Sequence, residues 1–338
     1  MDSLAVAIPV FLASAVAVVV AGVALARYGD AIADATGWGA LWVGTILVSV
    51  ATSLPELMTN ITAVLIPSPG LALGNVFGAD MINIFTLSMV AIVFGVGNLF
   101  RNQPKDTQTL VVVAVVLGVI AFAFGLTGDW GLGPTSAGAL TIAVGYIVGM
   151  RFVYGAGREA REAAASEAEA DGGGGSQAAG GAARVWLGFA VAGVVVLVAA
   201  YFLALSADGI AEATGLGRSF IGVLLVSIVT TLPEASVTVA AAMRRSYGLV
   251  LGNIYGSCAF NLFIIPIAGL FFAGGPLLGE MDDSHFVAAG AAVVLMSAGF
   301  LIIRSFRTAA PGPLRYLTYA APPAYVGALA LVYTLSSA

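Results

Sequence analysis

The chain of 338 residues is 60% hydrophobic and only 9% charged, whereas soluble globular proteins are about 45–50% apolar and about 25% charged. So few charges cannot cover a water-exposed surface, which excludes a soluble enzyme and a nucleic-acid-binding protein. The single cysteine, Cys258, permits neither an internal disulfide nor a thiolate metal cage. The composition predicts an all-α membrane protein.

Taken in chain order, the apolar stretches are long enough for ten transmembrane helices, since a helix needs about 20 apolar residues to span the hydrocarbon core. The first stretch is longer than the apolar part of a signal peptide and follows no positive charge, so we interpret it as a spanning helix. The ten stretches fall at residues 4–26, 40–66, 71–96, 108–127, 135–154, 185–206, 219–243, 247–273, 285–304 and 314–336.

Basic residues predict the side on which each loop lies, because cytoplasmic loops are enriched in Lys and Arg. With the N-terminus outside, the outer loops carry only Arg218 and the cytoplasmic loops carry the other twelve basic residues. Both termini are therefore predicted to face outward. The cytoplasmic set consists of Arg27, Arg101, Lys105, Arg151, Arg158, Arg161, Arg184, Arg244, Arg245, Arg304, Arg307 and Arg315.

A linker divides the chain into two similar halves. Residues 155–183 include the run DGGGGSQAAGG, which is typical of a flexible segment, and the orientation places this segment in the cytoplasm. It separates a first five-helix repeat at 1–154 from a second at 184–338. From residue 30 to residue 85, 25 of 56 positions are identical to the position 178 residues later, without a gap.

The repeat predicts an inverted topology, because each half has an odd number of helices and the second half must enter the membrane from the opposite side. Its motifs lie at 44–85 and 222–263. Inverted repeats are typical of secondary transporters, whose substrate site lies near the bilayer midplane where the copies meet. This favours alternating access over a static cation channel.

Each motif places a glutamate inside an apolar span, in ATSLPE at 51–56 and in VTTLPE at 229–234. A charge in such a position costs at least about 2.5 kcal/mol unless something compensates it. Hydroxyls three and four residues before each glutamate are expected on its helical face. The residues concerned are Glu56 with Thr52 and Ser53, and Glu234 with Thr230 and Thr231.

The prolines predict one further oxygen ligand in each half. Proline cannot donate a hydrogen bond to the carbonyl four residues earlier, so Pro55 frees the carbonyl of Ala51 and Pro233 frees that of Val229. Carboxylates, hydroxyls and carbonyls are hard donors, which suit Ca²⁺ or Na⁺ and not a soft transition metal. Apart from His285 at the mouth of the ninth stretch, no histidine falls in the apolar spans, which argues against an intramembrane protease.

The segments GNVFGADMINIF and GNIYGSCAFNLF follow in the next helix of each half. Their glycines allow close backbone approach or a helix break, and their first asparagines are assigned to helix geometry. Asp80 suits a capping or interhelical role as well as ion binding. The further candidate ligands are Asn83, Asn261, Ser257 and Asp80. His285, beside two aspartates at a helix mouth, is predicted to be a solvated loop residue.

The paired TSLPE and GNxxG segments resemble the α-repeats of the calcium/cation antiporter superfamily, especially prokaryotic sodium/calcium exchangers. The resemblance implies exchange of Ca²⁺ for Na⁺ at a central site coordinated by Glu56, Glu234 and the oxygens named above. It also implies that the first and sixth helices slide across the core. Three positions depart from the family pattern: Ala79 replaces a serine, Asp80 an asparagine and Asn261 an aspartate.

These departures leave the counter-ion open. Two glutamates neutralise one Ca²⁺, whereas three Na⁺ would leave one excess positive charge unless Asp80 contributes. The sequence thus predicts a prokaryotic plasma-membrane antiporter that takes Ca²⁺ and Na⁺ as substrates. Coupling to H⁺ in place of Na⁺ is the alternative. No cofactor and no obligate protein partner are expected.

Overall fold

The computed structural model describes residues 3–36, 49–101, 103–156, 179–306 and 312–336. The start of the predicted second helix and most of the predicted linker lie outside the described residues, as does Gly44 at the start of the first motif.

The first half is helical apart from one short hairpin. Its helices are α1 (Leu4–Thr36), α2 (Leu54–Leu65), α3 (Pro69–Phe94), α4 (Val96–Phe100), α5 (Lys105–Thr127) and α6 (Ala137–Ala156). Between α5 and α6, strands β1 (Gly131–Leu132) and β2 (Thr135–Ser136) pair antiparallel. The Asp129 carboxylate closes this hairpin by accepting hydrogen bonds from the Ser136 hydroxyl and the Gly138 amide.

The second half has the same helical character. Its helices are α7 (Ala179–Thr214), α8 (Arg218–Ile221), α9 (Ser227–Met243), α10 (Tyr247–Gly269), α11 (Asp283–Ser305) and α12 (Leu317–Ser336). A π-helical stretch at Gly222–Val226 joins α8 to α9, and short 3₁₀ turns lie at Leu277–Glu280 and Pro313–Tyr316. Helices α1 and α7 extend well beyond the predicted apolar stretches at their C-terminal ends.

Eight helices among the described residues are long and apolar enough to cross a membrane. Two predicted spans are not among them. Helix α2 has 12 described residues, and α12 contains the pair Pro322 and Pro323, which lowers its apolar character. The chain is therefore a multi-pass, all-α protein, and the count of ten stays a prediction.

Helices α3 and α10, which carry the glycine- and asparagine-containing motifs, lie at the centre of the bundle. Their apolar windows are 72% and 83% buried, against 28% for both α1 and α6. A helix that is apolar all round is either buried in protein or exposed to lipid, and here the central pair is buried in protein. This arrangement places the motif residues in the interior of the protein.

Glycines set the distance between α3 and the segment that precedes α9. A methyl group added at Gly74 would lie 2.5 Å from the Ser219 carbonyl oxygen, and one at Gly78 would lie 2.6 Å from the Val223 carbonyl oxygen. The backbones approach so closely because these positions lack a side chain. Of the two roles the sequence allowed, close approach and helix break, the structure has close approach, since α3 continues unbroken through both.

The prediction that His285 is a solvated loop residue is wrong. His285 is fully buried in the first turn of α11, and its Nε2 lies 3.0 Å from the Gly70 carbonyl oxygen at the start of α3. A carbonyl can only accept, so Nε2 carries the proton. The Asp282 carboxylate caps the same helix and accepts a hydrogen bond from the Ser219 hydroxyl at 2.8 Å.

These contacts predict an acid-sensitive contribution to stability from Asp282. Burial alone would raise the pKa of this carboxyl, but the interactions with His285 and the hydroxyls of Ser284 and Ser219 lower the pKa below its usual value. A lowered folded pKa contributes stability that is present above the usual pKa of about 4 and is lost as the pH falls further.

We therefore expect Asp282→Ala to destabilise the protein by about 1 kcal/mol at pH 7, the usual cost of losing an N-cap. Thermal unfolding in detergent should show the loss, and the difference from wild type should shrink in acid. The neighbouring, exposed Asp283→Ala is the matched control. Equal losses in the two variants, or a difference that is independent of pH, would contradict this assignment.

Candidate ion-binding site

The two glutamate-bearing segments differ in local structure although their sequences match. In the first half, residues 49–52 are helical, the helix is interrupted at Ser53, and α2 begins at Leu54 with Pro55 in its first turn. In the second half, α9 runs continuously through Pro233. The expectation that Ser53 shares one helical face with Glu56 stays a prediction, but the Ser53 hydroxyl makes no hydrogen bond to the Glu56 carboxyl among the described residues.

Ser53 instead joins the two halves. Its hydroxyl donates a hydrogen bond of 2.8 Å to Oε1 of Glu234. Both glutamates are fully buried, and their carboxyls lie close enough to interact electrostatically. Among the described residues, neither carboxylate oxygen of Glu56 has a hydrogen-bond partner, nor has Oε2 of Glu234. Three carboxylate oxygens are thus buried without a donor, which is costly unless a cation compensates them.

The hydroxyls of the threonines near the glutamates donate hydrogen bonds to other oxygens of the protein. Thr52 donates to the Ser49 carbonyl at 3.1 Å, and Thr231 donates to the Ser227 carbonyl of its own helix. Thr230 donates to the Asn75 side-chain oxygen at 3.2 Å and lies beside the Glu56 carboxyl. A hydroxyl that donates in this way keeps its lone pairs for a cation.

The asparagines assigned to helix geometry contact the site directly. Nδ2 of Asn253 donates to the Glu234 carbonyl at 3.1 Å and to the Thr238 hydroxyl at 3.0 Å, and Asn75 accepts from Thr230. The sequence analysis missed this role. The sequence signal for this role is that the two asparagines recur 178 residues apart. Each of them also follows a glycine of its motif.

The candidates on α3 and α10 form a second polar group. Nδ2 of Asn261 donates to Oδ1 of Asp80 at 3.1 Å, so Asp80 takes the interhelical role that the sequence left open. Within the part of the chain that the structure describes, its other oxygen has no hydrogen-bond partner, and neither do Oδ1 of Asn83, Oδ1 of Asn261 and the Ser257 hydroxyl. The Ser257 hydroxyl nevertheless lies beside the Glu234 carboxyl. Ala79 supplies no oxygen at the equivalent position.

All twelve candidate residues are buried in one interior region. Each side chain is at most 8% exposed, the largest value being that of Val229. Among the described residues, no three His, Cys, Asp or Glu side chains come together as a metal site. The region combines the carboxyls of Glu56, Asp80 and Glu234 with hydroxyl, amide and carbonyl oxygens, which are the ligands that hard cations prefer. Its members are Ala51, Thr52, Ser53, Glu56, Asp80, Asn83, Val229, Thr230, Thr231, Glu234, Ser257 and Asn261.

Comparison with known proteins now decides the family. The profile of the family described as "Sodium/calcium exchanger protein" matches residues 6–155 and 184–333. The chain belongs to this family. It is accordingly a cation antiporter of the calcium/cation antiporter superfamily, which confirms the resemblance inferred from the motifs.

Relatives of the antiporter are prokaryotic membrane proteins. It is 25% identical over 302 residues to the inner membrane protein YrbG of Escherichia coli K12, covering 88% of this chain and 87% of the relative. It is 25% identical over 273 residues to the sodium/calcium exchanger MaX1 of Methanosarcina acetivorans, covering 73% and 77%. The antiporter is a multi-pass protein of the cell membrane, as predicted.

Solved structures share the fold of the antiporter. The sodium–calcium exchanger NCX_Mj, soaked with Na⁺, superposes with a TM-score of 0.60 at 21% identity and covers 96% of this chain and 98% of its own. The H⁺/Ca²⁺ exchanger CAX superposes with a TM-score of 0.66 at 16% identity and covers 97% and 91%. The two neighbours use different counter-ions, so fold similarity leaves the counter-ion of the antiporter open.

Proposed function

We propose that the antiporter exchanges Ca²⁺ for Na⁺ at a central site built around Glu56 and Glu234. The observation that carries this proposal is the contact across the two halves. The Ser53 hydroxyl binds Glu234, while three carboxylate oxygens of the glutamate pair stay buried without a donor. Two carboxylates offer the charge that one Ca²⁺ neutralises, and all the surrounding donors are hard oxygens.

The proposed coupling is competition for shared ligands. One Ca²⁺, or several Na⁺, occupies the glutamate pair, and the two kinds of ion exclude one another because both need the same carboxylates. The coordination is completed by the carbonyls of Ala51 and Val229, which the prolines free, and by the neighbouring hydroxyls and amides. No cofactor takes part.

The proposed topology is ten transmembrane helices in two inverted five-helix repeats, with both termini outside. The repeats extend over 1–154 and 184–338 and are joined by a cytoplasmic linker at 155–183. The predicted span at 40–66, which includes α2, and the proline-containing α12 are the two spans proposed beyond the eight. Alternating access then exchanges the conformations of the two halves, which inverted repeats permit.

The test is ion flux in proteoliposomes. An outward Na⁺ gradient should drive uptake of radioactive Ca²⁺ that saturates with concentration and stops when choline replaces Na⁺. A pH gradient of the same size, imposed without Na⁺, should drive no uptake. Uptake driven by the pH gradient and indifferent to Na⁺ would overturn sodium coupling and support the second candidate, H⁺/Ca²⁺ exchange, which the likeness to CAX favours.

The Ser53 contact predicts a measurable change in Ca²⁺ affinity. Ser53→Ala removes the hydrogen bond to the Glu234 carboxylate, and a hydrogen bond to a charged group contributes about 1.5–3 kcal/mol. The apparent Ca²⁺ affinity in the flux assay should therefore fall about tenfold or more.

The matched control for this change is Ser236→Ala. Ser236 is on the same helix as Glu234, but its exposed hydroxyl donates only to the Leu232 carbonyl. We expect its Ca²⁺ affinity to match the wild type. An unchanged affinity in Ser53→Ala would remove the cross-half contact from the proposed mechanism.

A further inference from the structure

A groove runs along the lipid-facing side of α1 and has arginines at one end. Three adjoining cavities of about 190, 510 and 520 Å³ form it, and each shares lining residues with the next. The first lies between α1 and α9, and the last lies between α1 and α7. We call these three cavities the arginine groove.

Helices α1 and α7 and the turn after α9 contribute exposed arginines to this groove. Arg27 and Arg244 line the first cavity, Arg27 and Tyr28 line the second, and Tyr28 and Arg184 line the third. No Asp or Glu lines any of the three cavities among the described residues. The positive charge in the groove is therefore not neutralised by the side chains that line it.

The rest of the groove is apolar except for Ser236 and extends along α1. Ala17 and Tyr28, its extremes on α1, are eleven residues or about 16.5 Å apart along the helix. The walls include Val20, Leu187 and Val191, which are 65%, 65% and 55% exposed. A charged end above an apolar channel matches the shape of a phospholipid more closely than that of a free anion.

The backbone of the turn after α9 does not require arginine. In that turn Ser246 N donates to the Ala241 carbonyl at 2.9 Å, and in the equivalent turn after α2, Ser68 N donates to the Ala63 carbonyl at 2.8 Å. The position of Arg244 is occupied there by Ile66. Since one turn geometry accommodates both residues, local folding does not explain the charge at this turn.

We infer that the arginine groove binds an anionic phospholipid. Its phosphate lies among the guanidinium groups of Arg27, Arg184 and Arg244, and an acyl chain lies along α1. Basic pockets between transmembrane helices on the cytoplasmic side are known to hold acidic headgroups, and this end of α1 is the one that the basic residues predict to be cytoplasmic. The lipid bridges α1 to α9, the helix that carries Glu234.

The test uses native mass spectrometry of the purified antiporter in detergent. Palmitoyl-oleoyl phosphatidylglycerol is added in parallel with phosphatidylcholine of the same chains, and retained lipid is counted. The wild type should retain phosphatidylglycerol and not phosphatidylcholine. Arg27→Gln and Arg244→Gln should each weaken retention about fivefold, the effect of about 1 kcal/mol per basic residue.

Arg151→Gln is the matched control, because Arg151 is exposed at the end of α6 that is predicted to be cytoplasmic and lines none of the three cavities. Equal weakening in this variant, equal retention of phosphatidylcholine, or displacement of the lipid by millimolar inorganic phosphate would overturn the proposal. The readout does not involve transport, so its failure would leave the proposed exchange activity unaffected.

Discussion

Glu56→Gln is expected to abolish Na⁺-driven Ca²⁺ flux. The substitution keeps the size of the side chain and removes one of the two charges that the proposed site offers to Ca²⁺. Removing one partner of a buried ionic interaction costs about 3–5 kcal/mol, which corresponds to a loss of more than about 100-fold in Ca²⁺ affinity. Glu234→Gln should have the same effect, because both carboxyls are fully buried and interact with each other.

The flux assay with radioactive Ca²⁺ measures this loss, and Glu280→Gln is the matched control. Glu280 is exposed in the loop between α10 and α11, so its variant should transport like the wild type. The Glu56→Gln protein is judged to be folded if it is monodisperse in detergent and unfolds at the wild-type temperature. Flux that persists in folded Glu56→Gln would exclude this residue from the ion pathway.

Gly74→Ala is expected to destabilise the whole bundle. The added methyl group would lie 2.5 Å from the Ser219 carbonyl oxygen and 3.2 Å from the Gly222 Cα atom, both of which belong to backbone. A backbone cannot turn aside as a side chain can, so α3 must move. Overpacking of this kind costs about 1–3 kcal/mol and occasionally more, and the movement displaces Asn75 and Asp80 as well.

Thermal unfolding in detergent measures this effect, and Gly248→Ala is the matched control. A methyl group at Gly248, in the first turn of α10, meets nothing within 4 Å. Alanine is the better helix former there, so this variant should be as stable as the wild type or slightly more so. A Gly74→Ala protein of unchanged stability would show that α3 and the π-helical segment are less tightly held than the contacts indicate.

The sequence predicted the membrane class and the family because these depend on composition and on repeated motifs. It also predicted the burial of Glu56 and Glu234, since a glutamate within an apolar span has nowhere else to lie. It could not predict that Ser53 contacts Glu234, because the two motifs match letter for letter in their LPE segments while only the first interrupts its helix. Which residue of the other half a hydroxyl binds depends on how the helices pack, and the spacing of residues within a motif does not show this.

Two other differences have the same origin. His285 looked solvated because two aspartates precede it, yet its ring reaches Gly70 on a helix 215 residues away in the chain. Asn75 and Asn253 looked structural because they sit between glycine and an apolar residue, yet the close approach at Gly74 brings this part of α3 against the segment of Thr230. In each case a contact distant in sequence decides the role of the residue.

The hydrogen bonds of the two motifs are not mirror images, although their sequences nearly are. Ser53 donates across the interface to Glu234, whereas its repeat counterpart Thr231 donates within its own helix. If Thr231 donated across the interface and Ser53 donated within its own half, a Thr231–Glu56 hydrogen bond would form and Glu234 would be released. No new chemical group would be needed. An exchange of this kind is what the proposed alternating access requires of the two halves.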